Sequence, residues 1–256
     1  MSSRALLPIT AAFAFVILAP VSSAASIAPV TFNFSPVQPG ATASAELASI
    51  EIAGATYFDF IVPDDYANLD LNGTAELRMD TVGQGVNPGN ETWEALALAA
   101  FQSGNLNHYQ QLDAGNLNST WKLGYGNGGI AADANLFLVV TERNGNNPFI
   151  IEGFDAANNS LGVLNVPVTD YIPTGAVSLS TDRSKVEDIH AAVYRLSDLV
   201  APGSANLASI EITNNFTTED GGDGKVFFFG EATLVPEPST FLFGLLGLVA
   251  LNKRRR

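Results

Sequence analysis

Apolar and polar positions alternate over short runs along most of the chain, and clusters of turn-forming residues separate the runs. Side chains two positions apart share one face of a strand, so this alternation predicts half-buried β-strands rather than helices. Strands are predicted at Val30–Phe34, Ala45–Ala53, Thr56–Val62, Ala75–Asp80, Thr120–Tyr125 and Ala134–Thr141. More follow at Pro148–Phe154, Leu161–Val166, Ile189–Leu196, Leu207–Thr213 and Lys225–Leu234. The breaks read NPGN, YGNGG, RNGNNP, DAANNS and EDGGDG, residues that preset turns or tolerate left-handed backbone. Thr92–Ser103 (TWEALALAAFQS) does not alternate and is rich in Ala and Leu, so it predicts the one notable helix, with Asn90 placed to cap it. The expected fold is mainly β, an antiparallel, jelly-roll-like β-sandwich between residues 26 and 234.

Ala45–Ile52 reads AELASIEI and Ala205–Ile212 reads ANLASIEI. The flanks diverge, so two strands solving the same packing problem are expected, with Glu51 and Glu211 facing outward, rather than a duplicated domain.

Both ends depart from the strand pattern. Residues 1–4 (MSSR) carry a positive charge, Ala5–Val21 is almost wholly apolar, and Ser22-Ser23-Ala24-Ala25 supplies small residues. These are the three parts of a secretory signal peptide spanning 1–25, a signal helix that signal peptidase cuts after Ala24 or Ala25. At the other end, Val235-Pro236-Glu237-Pro238 is stiffened by two prolines, Phe241–Leu251 is apolar, and Asn252-Lys253-Arg254-Arg255-Arg256 is basic. A helix over 238–252 is about 22 Å long, short of a bilayer core of roughly 30 Å, so it predicts a marginal transmembrane helix with its basic end in the cytoplasm.

That tail, in that order, resembles the PEP-CTERM protein-sorting domain, also called the ice-binding protein C-terminal domain. Within it, 235–240 holds the motif, 241–251 the apolar helix and 252–256 the basic tail. Pro236, Glu237 and Pro238 match the tripeptide, Val235 precedes it, and Lys253, Arg254, Arg255 and Arg256 match the basic stop. The resemblance implies a Gram-negative host that makes exopolysaccharide, and processing by the membrane protease-transpeptidase exosortase. It implies a transient hold in the inner membrane, followed by a cell-surface or extracellular location. Phe149–Val166 is similar to hairpins of galactose-binding-like and other secreted β-sandwich modules, and that likeness brings no binding residues with it.

Charge narrows the partners. Of 12 basic residues, Arg4 and Lys253–Arg256 lie in the terminal segments, so residues 25–237 hold seven against all 26 acidic residues. Nucleic acid and anionic membrane surfaces are thereby disfavoured, because phosphate contacts need clustered Lys and Arg. No cysteine is present, which removes disulfides and thiolate metal sites.

Candidate chemistry is sparse. The two histidines, His108 and His190, stand in no recognisable catalytic motif. Gly124, Gly126, Gly128 and Gly129 lack the following helix and lysine of a phosphate loop and read as a turn. Glu219–Gly224 (EDGGDG) is the best calcium candidate, but its spacing fits no EF-hand and a solvated turn is expected. Trp93, Tyr109, Trp121 and Tyr125 would form a sugar platform if exposed, and core positions are expected instead. No catalytic residue, metal ligand or cofactor is therefore assigned. The sequence reads as a non-enzymatic envelope or matrix protein. The alternatives are a glycan-binding module, with exopolysaccharide as partner, and a secreted polysaccharide hydrolase using paired carboxylates.

Overall fold

The computed structural model of the protein describes residues 21–22, 24–35, 45–70, 75–78, 93–112, 118–126, 128–133, 135–179, 186–215 and 222–231. The apolar run 5–20, the cap Asn90, residues 219–221 and the whole segment 235–256 lie outside the described residues.

The described chain is mainly β, in three sheets whose strands are numbered here in chain order. A six-stranded sheet runs β1 (Val21–Ser22), β12 (Ser160–Val166), β11 (Phe149–Phe154), β15 (Ser209–Asn215), β9 (Asn118–Gly124), β6 (Asp65–Asp70). A seven-stranded sheet contains β13 (Ile172–Leu179), β14 (Val186–Arg195), β10 (Asn135–Arg143), β16 (Asp223–Glu231), β8 (Tyr109–Leu112) and β7 (Ala75–Arg78), with β5 (Phe60–Ile61) against β16. The third sheet is β2 (Val30–Phe34), β3 (Leu47–Ile52), β4 (Ala55–Tyr57). Every pairing is antiparallel except β1 with β12. Helix is confined among the described residues to α1 (Trp93–Gln102), α2 (Leu196–Leu199) and a 3-10 turn at Val168–Asp170, and none is long and apolar enough to cross a membrane.

The seven-stranded sheet is buried on both faces. Leu136, Leu138 and Val140 of β10, with Val226 and Phe228 of β16, share one core with Trp121, Leu123, Ile151, Ile210 and Ile212 of the six-stranded sheet. Phe137 and Val139, with Phe227 and Phe229, face a second core shared with Phe32, Leu47, Ile50 and Ile52 of the small sheet. A strand covered on both sides must be apolar at successive positions, which is why LFLVV and VFFF lack the alternation of a half-exposed strand. α1 places Ala97, Ala100 and Phe101 on the first core, with Phe101 stacked on Tyr66 at 5.9 Å.

The two similar octapeptides occupy different sheets. Ile50 and Ile52 point into the second core and Ile210 and Ile212 into the first, while Glu51 and Glu211 lie on the other side of their strands, half-buried. The same local pattern serves two unrelated places in the fold.

Several elements differ from the sequence expectation. The strand expected over Thr56–Val62 is broken at Phe58–Asp59, because β4 pairs within the small sheet and β5 crosses to β16; Phe58 is left exposed. β14 stops at Arg195, whose N–H donates to Asp198 Oδ2 at 2.9 Å, and Leu196 opens α2 instead of extending the strand. β6, β8 and β13 are strands that the pattern did not announce. β6 (DYANLD) is polar and lies at a sheet edge, and β13 carries Pro173 and Gly175, with a register break between Pro173 and Val177. Proline and glycine usually mark strand interruptions, but an edge strand tolerates them.

Phe228 is fully buried, its ring 5.3 Å from that of Tyr125. Phe228→Ala should lower the unfolding free energy by about 3–5 kcal/mol in denaturant titration, whereas Phe58→Ala should change it by less than about 0.5 kcal/mol. Equal effects would contradict the layered core.

Candidate functional site

The aromatic platform does not form. Tyr109, Trp121 and Tyr125 are buried core residues, and the side chain of Trp93 lies outside the described residues. His190, in β14, is half-buried with its Nδ1 3.3 Å from the Asp188 carbonyl, and its ring packs where a Cβ on Gly145 would stand. Of the acidic segment 219–224, residues 222–224 are described, and Asp223 is not in a solvated turn. Asp223 is the first residue of β16, buried, and accepts a hydrogen bond from Arg143 Nη2 at 2.7 Å, while Arg143 Nε reaches Glu187 at 2.9 Å. Its carboxylate is engaged by arginine rather than solvated. No group of three or more His, Asp or Glu that could hold a metal occurs among the described residues.

The glycine segment after β9 borders an open surface cavity. Glycine is required there by close approach. A Cβ on Gly126 would stand 2.2 Å from Asp64 Oδ2, and one on Gly129, at φ +75°, would stand 2.6 Å from the Leu207 carbonyl oxygen. The Gly126 N–H donates to Asp64 Oδ2 at 2.7 Å, and Tyr125 N–H to the Ala208 carbonyl at 2.8 Å. The loop is thus stitched to β15 on one side and to Asp64 on the other. An open cavity of about 340 Å³ results, with Asp64, Asp65, Lys122 and Ser209 among its walls.

The turn between β11 and β12 supplies another wall. Asp155 Oδ1 accepts from Ala157 and Asn159 N–H at 2.9 and 2.8 Å, and its Oδ2 from Asn159 Nδ2 at 2.9 Å. Hydrogen bonds from Asn159 hold the Asp155 carboxyl below its ordinary range. Lys122 Nζ donates to Asn158 Oδ1 at 2.8 Å, lies 3.5 Å from Glu211 Oε1, and sits 5.2 Å above the Phe154 ring. The cavity therefore presents carboxylate acceptors, one ammonium and a hydroxyl over a glycine floor. Phosphate is disfavoured, since Asp64 already takes the Gly126 N–H and two carboxylates repel an anion.

Two further titratable groups are buried away from that cavity. Lys225, on β16, is 1% exposed and donates to the carbonyls of Ala100 at 2.8 Å, Asn105 at 3.3 Å and Ser103. Burial pushes its ammonium from 10.5 down to about 7, with Glu46 acting in the other direction. Glu142, on β10, accepts from Asn146 N–H at 3.0 Å and Asn147 Nδ2 at 3.3 Å. Burial, and then the charge of Asp223, pushes it from 4.5 up to about 9 against the backbone donors of its turn.

Sequence reasoning picked out the glycine run but not its partners. Asp64 and Lys225 contact positions 62 and more than 100 residues away, and no local spacing announces such contacts. Ala24 lies half-buried against the first core, Ala25 is exposed, and Val21 and Ser22 pair with β12. No family model matches the chain, and no curated protein matches it. Among solved structures, it is similar to the enzymatically active domain of tailspike protein 4 of bacteriophage CBA120, with 13% identity and a TM-score of 0.30. That alignment covers 64% of this chain and 18% of the phage protein, a likeness too slight to carry an argument about fold or activity.

The buried acid and lysine give pH dependences of opposite sign. Between pH 4.5 and 9 the folded state holds the Glu142 proton and the unfolded state releases it, so stability falls as pH rises through that window. Between pH 7 and 10.5 the unfolded state is protonated at this lysine while folded Lys225 is not, so its contribution rises with pH. From about pH 5 to 7 the Glu142 slope acts without the opposing Lys225 one, so stability should decline there by roughly a few kcal/mol. Glu142→Gln should abolish the decline in denaturant titrations. An unchanged slope in that variant would show that another group is responsible.

Proposed function

We propose that this is an exported cell-envelope or extracellular-matrix protein of a Gram-negative bacterium with a non-enzymatic structural or surface role, released or retained by exosortase processing of its C-terminal segment. The fold belonging to this reading is a jelly-roll-like sandwich of the two large sheets. The observation that supports the proposal is how close β16 comes to the motif. β16 is an interior strand of the seven-stranded sheet, and Glu231, its last described residue, lies opposite Asn135 and four positions before Val235. The segment Val235-Pro236-Glu237-Pro238 therefore follows directly on a strand held by both of its neighbours. Prolines disfavour helix upstream and cannot donate to a ladder, so this stretch suits the extended form a protease cleft accepts. The apolar run 241–251 would hold the chain briefly, with Lys253–Arg256 on the cytoplasmic side.

A second reading is favoured by the cavity beside β9. The Asp64, Asp65, Lys122 and Ser209 walls suit the hydroxyls of a glycan, such as the host's exopolysaccharide. On this reading Asp64→Asn with Asp65→Asn should weaken retention on an exopolysaccharide matrix at least tenfold while leaving the melting temperature nearly unchanged. Equal retention would dismiss the cavity as a glycan site, and turnover of the polysaccharide would overturn the non-enzymatic role.

The processing proposal is tested by intact-mass measurement of the protein recovered from an exosortase-bearing host. The mature chain should begin at residue 25 or 26 and lack everything after about Pro238. Finding residues 241–256 still attached would overturn it.

A further inference from the structure

The outer edge of β12 is unlike the outer edges of β6, β13 and β7. β12 reads SLGVLNV, with no charge and no proline. At the opposite edge of the same sheet, β6 begins and ends with aspartate. At the edges of the seven-stranded sheet, β13 carries Pro173 and a broken register, and β7 carries Glu76 and Arg78. Charges, prolines and irregular pairing are the means by which an edge is kept from pairing with another chain. On β12 the one irregularity falls before Gly162, and Gly162–Val166 pairs with β11 in regular register.

What occupies that edge is β1. Val21 pairs with Val163 and Ser22 with Leu164, so a short extended segment is accepted in the middle of the regular run. Both residues lie ahead of Ala24 and Ala25, in the segment that signal peptidase would remove. The mature chain would then present β12 without its partner.

We infer that the β12 edge is a self-association surface of the mature protein, on which β12 of a second copy adds antiparallel in the place that β1 holds here. This inference rests on the export reading. A second copy fits for a reason of charge. The body is strongly acidic, with 26 Asp and Glu in the chain, so most faces of two copies repel. Two β12 strands meet without placing a carboxylate opposite another, and an isologous, two-fold pairing satisfies the open backbone groups of both. Gly162, Leu164 and Val166 are buried on the core side, Leu161 beside the irregularity also packs against the first core, and Val163 and Asn165 form the outward row. The edge can therefore be blocked without disturbing the core.

The experiment uses the exported chain recovered from its host, with N-terminal sequencing and sedimentation equilibrium at micromolar concentration. The expected result is a chain beginning at residue 25 or 26 that sediments as a dimer. Val163→Lys and, separately, Asn165→Lys should each give a monomer with unchanged circular dichroism. A correctly cut chain that is monomeric, or a dimer that persists in both variants, overturns the interface. A chain that keeps Val21 and Ser22 overturns the export reading and the interface with it.

Discussion

Lys225 is the side chain through which the separate layers of this protein are tied. Its strand lies in the middle of the seven-stranded sheet, and its ammonium reaches the carbonyls of Ala100, Ser103 and Asn105, where α1 ends and the following loop turns. The Ala100 carbonyl lies in the last turn of α1, where carbonyls run out of helical partners and a cation is favoured by the macrodipole. The loop then passes the connection on. Leu47 N–H donates to the Gly104 carbonyl at 3.0 Å and Leu106 N–H to the Ala45 carbonyl at 2.9 Å, which seats β3 and with it the small sheet. An unpaired buried ammonium is too costly to keep, so the lysine and the loop specify each other.

The second constraint is that the seven-stranded sheet has no wet face over β10 and β16. Phe227, Phe228 and Phe229 follow one another because successive side chains enter different cores. Polar groups survive in these strands only where they are engaged. Thr141 Oγ1 donates to the Lys225 carbonyl at 3.2 Å and accepts from the Lys225 N–H at 3.0 Å, and Arg143 joins Asp223 to Glu187. Accessible polar groups are accordingly left to the sheet edges and the loops, among them the glycine segment beside Asp64.

Local pattern made much of the β content legible. Val30–Phe34 coincides with β2, Thr92–Ser103 differs from α1 by a single residue at each end, and the fold of Phe149–Val166 into a hairpin is written in Asn158, which takes φ +63°. Where the sequence misled, a distant contact had changed the meaning of a residue. Asp223 looks like a loop acid until Arg143 is placed beside it. Gly126 looks like a free turn until Asp64 is seen occupying the space a Cβ would need. β6 escaped notice because an edge strand of acidic and small residues has little apolar pattern to read. The candidate cavity was half legible: its glycines could be found in the sequence, while Asp64, Lys122 and Ser209 meet there only through the pairing of β9 with β6 and β15.

Amide hydrogen exchange in the Lys225→Met variant tests most directly whether this lysine holds the layers together. Methionine keeps the length and apolar stem of the side chain but cannot donate to the three carbonyls. Exchange should accelerate at least tenfold at Leu47, Ser103 and Leu106, while the amides of β11 and β12 keep their protection. Uniform acceleration across all sheets, or none at the end of α1, would contradict the account.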